Sequence, residues 1–149
     1  GTGKFTPATW PADSYFATRQ CGRGAGLADL DNDGDLDFVI NHKDAASPAN
    51  VVLNELPPGR HWLGIDLRAG GQNPLALGAR VTLRAGDGLQ VREVSRSGSY
   101  LSQGDRRLVF GLGEGTEVDA LTVRWPDGTE QVIEVTAIDR YLRIEQPAE

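Results

Sequence analysis

Five aspartates stand at alternate positions in the run Asp29-Leu30-Asp31-Asn32-Asp33-Gly34-Asp35-Leu36-Asp37, with no basic residue among them. Alternating carboxylates on a tightly wrapped loop can all point inward, where they repel one another unless a cation lies between them. Calcium suits such a set, because it is a hard cation that takes about six to eight oxygens at roughly 2.3–2.6 Å. Magnesium suits it less, since it tends to keep several of its waters. Gly34, sixth in the run, permits the sharp backbone turn that wrapping requires. The pattern assigns side-chain oxygens to Asp29, Asp31, Asp33 and Asp37, and the backbone carbonyl to Asp35. The alternative is a solvated acidic turn, in which the placement of the glycine is coincidence.

An EF-hand loop would need a bidentate Glu at its twelfth position and a helix on each side. The twelfth residue here is Ile40, and Phe38-Val39-Ile40 favours a strand. What remains is a nine-residue loop, closed by Asp37, that leads into a β-strand.

Other residues carry less. His42 and His61 have no Cys or acid at zinc-like spacing and read as surface or packing residues. Ser95, Ser97, Ser99 and Ser102 lie outside any G-x-S-x-G elbow, and no His follows residue 61, so they read as turn and strand-edge residues. Gly111-Leu112-Gly113-Glu114-Gly115 has no βαβ context that would make it a phosphate loop. Cys21 is the sole cysteine, so no disulfide forms within the chain, and no charged neighbour activates it. Trp62 and Trp125 read as core residues. Trp10 is the best candidate for an exposed aromatic that could stack on a sugar.

The elements that must position the acidic run are strands. Val51-Val52-Leu53 follows it as a second short strand, after a surface turn over 42–50. Leu56-Pro57-Pro58-Gly59 breaks regular structure and divides the chain into 1–58 and 59–149. Beyond it, alternation marks strands at Trp62–Leu67, Leu77–Leu83, Leu89–Val94, Leu108–Phe110, Val118–Trp125, Val132–Val135 and Tyr141–Ile144. Gly86-Asp87-Gly88 and Pro126-Asp127-Gly128 are turn signals between them. Seven short strands at such spacing predict a β-sandwich or barrel. No window holds a 3.6-residue apolar period, so long helices are not expected. Phe38, Ile40 and Val52 are expected to bury against residues 60–146.

Composition narrows the function. A net charge of −6 with no Lys/Arg cluster argues against nucleic acid and against insertion into or attraction to an anionic membrane. No apolar run approaches the roughly 20 residues of a membrane-spanning helix. The start at GTGKF reads as a mature or excised piece of a larger secreted protein.

With its flanks, the acidic run GAGLADLDNDGDLDFVI resembles an FG-GAP/VCBS repeat, the unit of calcium-dressed β-propellers, and GTGKFT resembles the end of a preceding repeat. That likeness implies the ligands already assigned, Asp29, Asp31, Asp33 and Asp37 with the Asp35 carbonyl. One motif cannot close a propeller, which needs at least about four blades, so the segment would be one partial blade. Residues 61–135 resemble the ASPIC/UnbV domain of the cartilage acidic protein family through HWLGIDLRAGGQNPLALGARV, VREVSRSGSYLSQGDRRLVFGLG and VDALTVRWPDG. Pro74 and Val109 depart from that pattern. The resemblance implies an extracellular protein, secreted or at the cell surface.

The expectation is therefore an all-β protein: a calcium-loop segment docked on an ASPIC/UnbV-type β-sandwich, with Ca²⁺ as its cofactor. Its expected role is calcium-stabilised adhesion or binding of an extracellular protein or glycan, without catalysis. The alternative is a carbohydrate-binding accessory module of a secreted enzyme.

Overall fold

The computed structural model describes residues 3–44, 48–55 and 57–148. Gly1 and Thr2 of the GTGKFT piece, residues 45–47 of the surface turn and Leu56 of the proposed boundary lie outside the described residues. Among the described residues, ten strands form three sheets. Among the described residues the only helical element is a 3₁₀ turn at Tyr15–Ala17, and none is long and apolar enough to cross a membrane.

The first sheet has the order β1-β2-β3, from Gly22–Ala28, Asp37–His42 and Asn50–Val52. It is antiparallel throughout, with Ala28 opposite Asp37 and Val39 opposite Val51.

The other two sheets make the sandwich. One has the order β10-β4-β7, from Tyr141–Glu145, His61–Arg68 and Leu108–Gly113. The other has the order β6-β5-β8-β9, from Gly88–Glu93, Arg80–Ala85, Ala120–Arg124 and Glu130–Ile133. Strand alternation sends Leu63, Ile65 and Leu67 of β4 to the inside, where they meet Val81, Leu83, Leu121 and Val123 from the facing sheet. Phe110, Ile144 and Trp125 complete this core. The all-β class and the sandwich agree with the sequence, as do seven strands after residue 59.

β4 is buried on both faces. Its inner face lines the sandwich core. Its outer face carries Trp62, Gly64 and Asp66, and Trp62 lies against Gly34 of the first hairpin. Of the three residues expected to bury against the sandwich, Ile40 is buried and Phe38 and Val52 are partly so, but none of them belongs to the sandwich core, and Phe38 meets Phe16 edge-on. β10 joins this sheet parallel to β4, with Tyr141 opposite Gly64 and Arg143 opposite Asp66.

Several boundaries differ from the sequence reading, with β8 confined to Ala120–Arg124 and β9 shifted to Glu130–Ile133. β5 begins at Arg80 and not at Leu77. The Asn73 side chain brackets Leu77, donating to its carbonyl at 2.9 Å and accepting from its amide at 3.1 Å, which holds Leu77 in a turn. β1 was not expected at all, because GRGAGLA offers almost no alternating apolar side chains.

Candidate metal centre

The acidic run is the loop of the β1–β2 hairpin, closed by the Ala28–Asp37 pair. Asp29, Asp31 and Asp37 each bring a carboxylate oxygen within 4.8 Å of the others. Asp29 and Asp37 are buried, and Asp31 is exposed. Backbone amides fix the buried pair. Asp29 Oδ1 accepts from Asp33 N at 3.2 Å, and its Oδ2 accepts from Gly34 N at 3.1 Å. Asp37 Oδ2 accepts from Leu30 N at 2.8 Å, and its Oδ1 from Asn54 N at 2.9 Å. A carboxylate has about four lone-pair sites, so each still has capacity for a cation.

The carboxylate of Asp33 stands outside this convergent group. Its Oδ1 accepts from Asp35 N at 3.0 Å, closing an Asx turn around Gly34, whose φ is 94°. Asp35, to which the pattern gave only a carbonyl role, has a buried side chain, 5% exposed, with no hydrogen-bond partner on either oxygen. Burial raises its carboxyl above the usual carboxylate value, and the charges of Asp33, Asp37 and Asp31 add to this. The Asn54 side chain opposes the rise without reaching hydrogen-bond geometry. The Asp31 carboxyl is also raised, by desolvation first and then by Asp33 and Asp37, against a smaller lowering by backbone amides.

Residues that the sequence did not single out hold this loop in place. The Tyr141 hydroxyl donates to Asp29 Oδ2 at 2.6 Å. Burial first, and then the hydrogen bond to Asp29, push that phenol far above its ordinary value, so it remains a donor. Arg107, just before β7, donates from Nη1 to Asn32 Oδ1 and from Nη2 to the Asp29 carbonyl, both at 2.7 Å. Its Nε pairs with Asp105 at 2.5 Å, and the guanidinium lies 4.1 Å from the Tyr141 ring centroid. Burial alone would lower the Arg107 guanidinium, but Asp105, Tyr141 and Asp29 outweigh it and keep it charged. Tyr141 lies flat on Gly64, where a Cβ would enter its ring. Trp62 meets Tyr141 edge-on, with centroids 5.2 Å apart. Arg107 belongs to the DRRLVFGLG piece that carried the family resemblance, but nothing in the spacing marked Tyr141.

The remaining candidates are engaged elsewhere. His42 is buried and bonds Asn50 at 2.7 Å, and His61 bonds Asp139 at 2.8 Å. Ser95 and Ser97 bond each other at 3.0 Å, and Ser99 Oγ accepts from Ala25 N at 3.1 Å. Cys21 is free and exposed. Trp10 is 52% exposed and stacks on Phe16 with centroids 4.6 Å apart.

The sequence pattern of the family described as ASPIC and UnbV matches residues 69–149, which takes in six of the seven sandwich strands whole and leaves out β4. The chain belongs to the ASPIC and UnbV family. The match starts eight residues later than the resemblance read from the sequence and does not reach the acidic loop. Among its relatives, Cartilage acidic protein 1 from Xenopus tropicalis is 33% identical over 116 residues, 75% of this chain and 18% of that protein. The protein of the same name from Homo sapiens is 32% identical over 111 residues, 72% of this chain and 16% of that one. The Mus musculus protein is also 32% identical over 111 residues, 17% of its length. The chain thus spans less than a fifth of these relatives. Matches of this length cannot fit within residues 69–149, so they extend into the segment before the family match.

Proposed function

We propose that this ASPIC/UnbV chain is a calcium-stabilised, non-catalytic module of an extracellular protein, serving adhesion or protein binding. The observation that carries the reading is the buried, unpartnered Asp35 carboxylate beside the convergent oxygens of Asp29, Asp31 and Asp37. Burying a carboxylate with no partner is costly, and such a group calls for an unseen counter-ion. The donor set is all oxygen, which suits a hard cation and not zinc, for which nitrogen and sulfur are the usual ligands. Asp29, Asp31 and Asp37 would hold Ca²⁺ by carboxylate, and the buried Asp35 carboxylate, which lies outside that trio, would turn to join them, with Asp33 at the rim. The nine-residue loop entering a strand supports an FG-GAP/VCBS-type loop for residues 29–37.

The name of the relatives, together with the resemblance to their family, supports a secreted or surface location. The name that the relatives carry, Cartilage acidic protein 1, supports a role without catalysis. The test is binding of Ca²⁺ to the chelator-stripped chain by calorimetry. A single site in the micromolar range that is lost in Asp37→Ala is expected. Absence of binding at millimolar calcium would overturn the reading.

Trp10 supports a second reading, a module that binds carbohydrate. Its exposed indole, backed by Phe16, offers a face on which a sugar ring can stack. Glycan-array binding lost in Trp10→Ala would favour it, and an array without signal would dismiss it.

A further inference from the structure

The metal loop does not stand free of the sandwich. Asp29 is gripped at two points by residues far along the chain: Tyr141 of β10 at its carboxylate, 112 positions away, and Arg107, just before β7, at its carbonyl, 78 positions away. Arg107 also holds Asn32, so it spans the loop from its first residue to its apex. Its Nε is anchored by Asp105, whose own amide donates to the Leu27 carbonyl of β1 at 2.8 Å. Asp105 and Arg107 line an open cleft of about 560 Å³ together with Leu27, Leu36 and Phe38 of the first hairpin. One short run of side chains thus touches a loop carboxylate, the loop backbone and the line along which the first sheet docks.

We infer that Arg107 and Tyr141 are positioning residues that couple metal occupancy of the loop to the docking of the β1-β2-β3 sheet on the sandwich. This rests on the calcium reading of residues 29–37. Without a cation, Asp29, Asp31, Asp35 and Asp37 repel one another and the loop spreads. Spreading carries the Asp29 carbonyl and Asn32 away from the planar guanidinium fork, which tolerates little displacement. With a cation, the Tyr141 hydroxyl fixes the rotation of the Asp29 carboxylate while the ion takes its remaining lone pairs. Linkage requires the effect to run both ways: what helps the sheet dock tightens the metal, and the metal tightens the docking.

The experiment uses the full chain and calcium alone as the probe. Calcium affinity is measured by calorimetry for wild type, Tyr141→Phe and Arg107→Lys. Exchange of the Asp105 amide is followed by NMR with calcium and with chelator. Tyr141→Phe keeps the ring over Gly64 and removes one hydroxyl, so it preserves the packing. A hydrogen bond to a charged group supports an expected weakening of calcium binding by about tenfold in each variant. Calcium should slow Asp105 exchange by about tenfold or more in wild type and much less in either variant. A merely structural role would speed exchange equally with and without calcium, and that result overturns the inference. Wild-type calcium affinity in both variants overturns it as well while leaving the calcium site standing. A wild-type chain that binds no calcium overturns the site reading and this inference together.

Discussion

Gly34 rests directly on the indole of Trp62, so closely that a Cβ at residue 34 would fall among Cγ, Cδ2 and Cε2 of the ring. Its φ of 94° is also a conformation that side chains with a Cβ rarely adopt. Both facts bear on Gly34→Ala. Overpacking against a buried ring and a strained backbone each contribute about 1–3 kcal/mol. Denaturant unfolding in calcium should show a loss of at least about 2 kcal/mol. A loss under about 0.5 kcal/mol would mean that the loop is not seated on Trp62 as described.

Asp35→Asn should separate the two states of the loop. In chelator at pH 7, wild type holds a buried carboxylate whose pKa is raised, so its folded state binds the proton more readily than its unfolded state. Stability from this group is then lost as pH rises through the window between the ordinary carboxylate value, about 4, and the raised one. The amide has no charge to desolvate. Asp35→Asn should therefore melt higher than wild type in chelator at pH 7, by a few degrees, and the gap should close as pH falls toward about 4. In calcium the order should reverse, because the variant lacks a charged ligand. An equal melting temperature in chelator at pH 7 would contradict the burial of Asp35.

Asp66 makes a different kind of contribution. It is buried on β4 and serves three guanidiniums: Arg143 Nη2 at 3.1 Å, Arg68 at 3.5 Å, and Arg106, which pairs with Oδ1 by charge without hydrogen-bond geometry. Arg106 also donates to the Leu67 carbonyl at 2.9 Å, which ties the loop before β7 to β4. Removing the shared carboxylate leaves the poorly hydrated Arg106 without its counter-charge. Asp66→Asn should cost about 3 kcal/mol by chemical denaturation. Glu114→Gln, which breaks the exposed Arg60–Glu114 pair at 3.6 Å, should change stability by less than about 0.5 kcal/mol. Equal effects of the two substitutions would contradict this.

The strands after residue 59 are legible because alternation is a local signal. Gly86-Asp87 turns β5 into β6 as its residue types require, with Ala85 opposite Gly88. The acidic loop is legible for the same reason, since its spacing and glycine lie within nine residues. What the sequence does not disclose is non-local. β1 is glycine-rich and shows no period, yet it pairs because β2 offers it a partner. The parallel seat of β10 beside β4 is a property of the whole sandwich. Tyr141 becomes part of the metal loop only through that seat, and Asp35 is buried only once the folded hairpin packs.

The division of the chain at residues 56–59 makes a prediction about fragments. Residues 1–58 contain one three-stranded sheet whose Val39 and Val51 remain exposed, too little for independent stability. Among the described residues, the sandwich core draws none from that segment. A fragment beginning at Arg60 should melt cooperatively, at a lower temperature than the full chain because Trp62 and Tyr141 lose their cover. Residues 1–58 should lack a cooperative melt even in calcium. A cooperative transition from the short fragment, by circular dichroism, would overturn the division.

The measurement that bears most directly on the calcium site is a set of four melting curves: wild type and Asp31→Ala, each in millimolar calcium and in chelator. Asp31 is exposed and converges with Asp29 and Asp37. With a dissociation constant on the order of 10 μM, millimolar calcium stabilises wild type by about 2.7 kcal/mol. Asp31→Ala should forfeit most of that gain, and in chelator it should equal or slightly exceed wild type, since one repelling carboxylate has gone. Curves for wild type that coincide with and without calcium, or a loss in Asp31→Ala that is the same in both, would contradict a calcium ion at this loop.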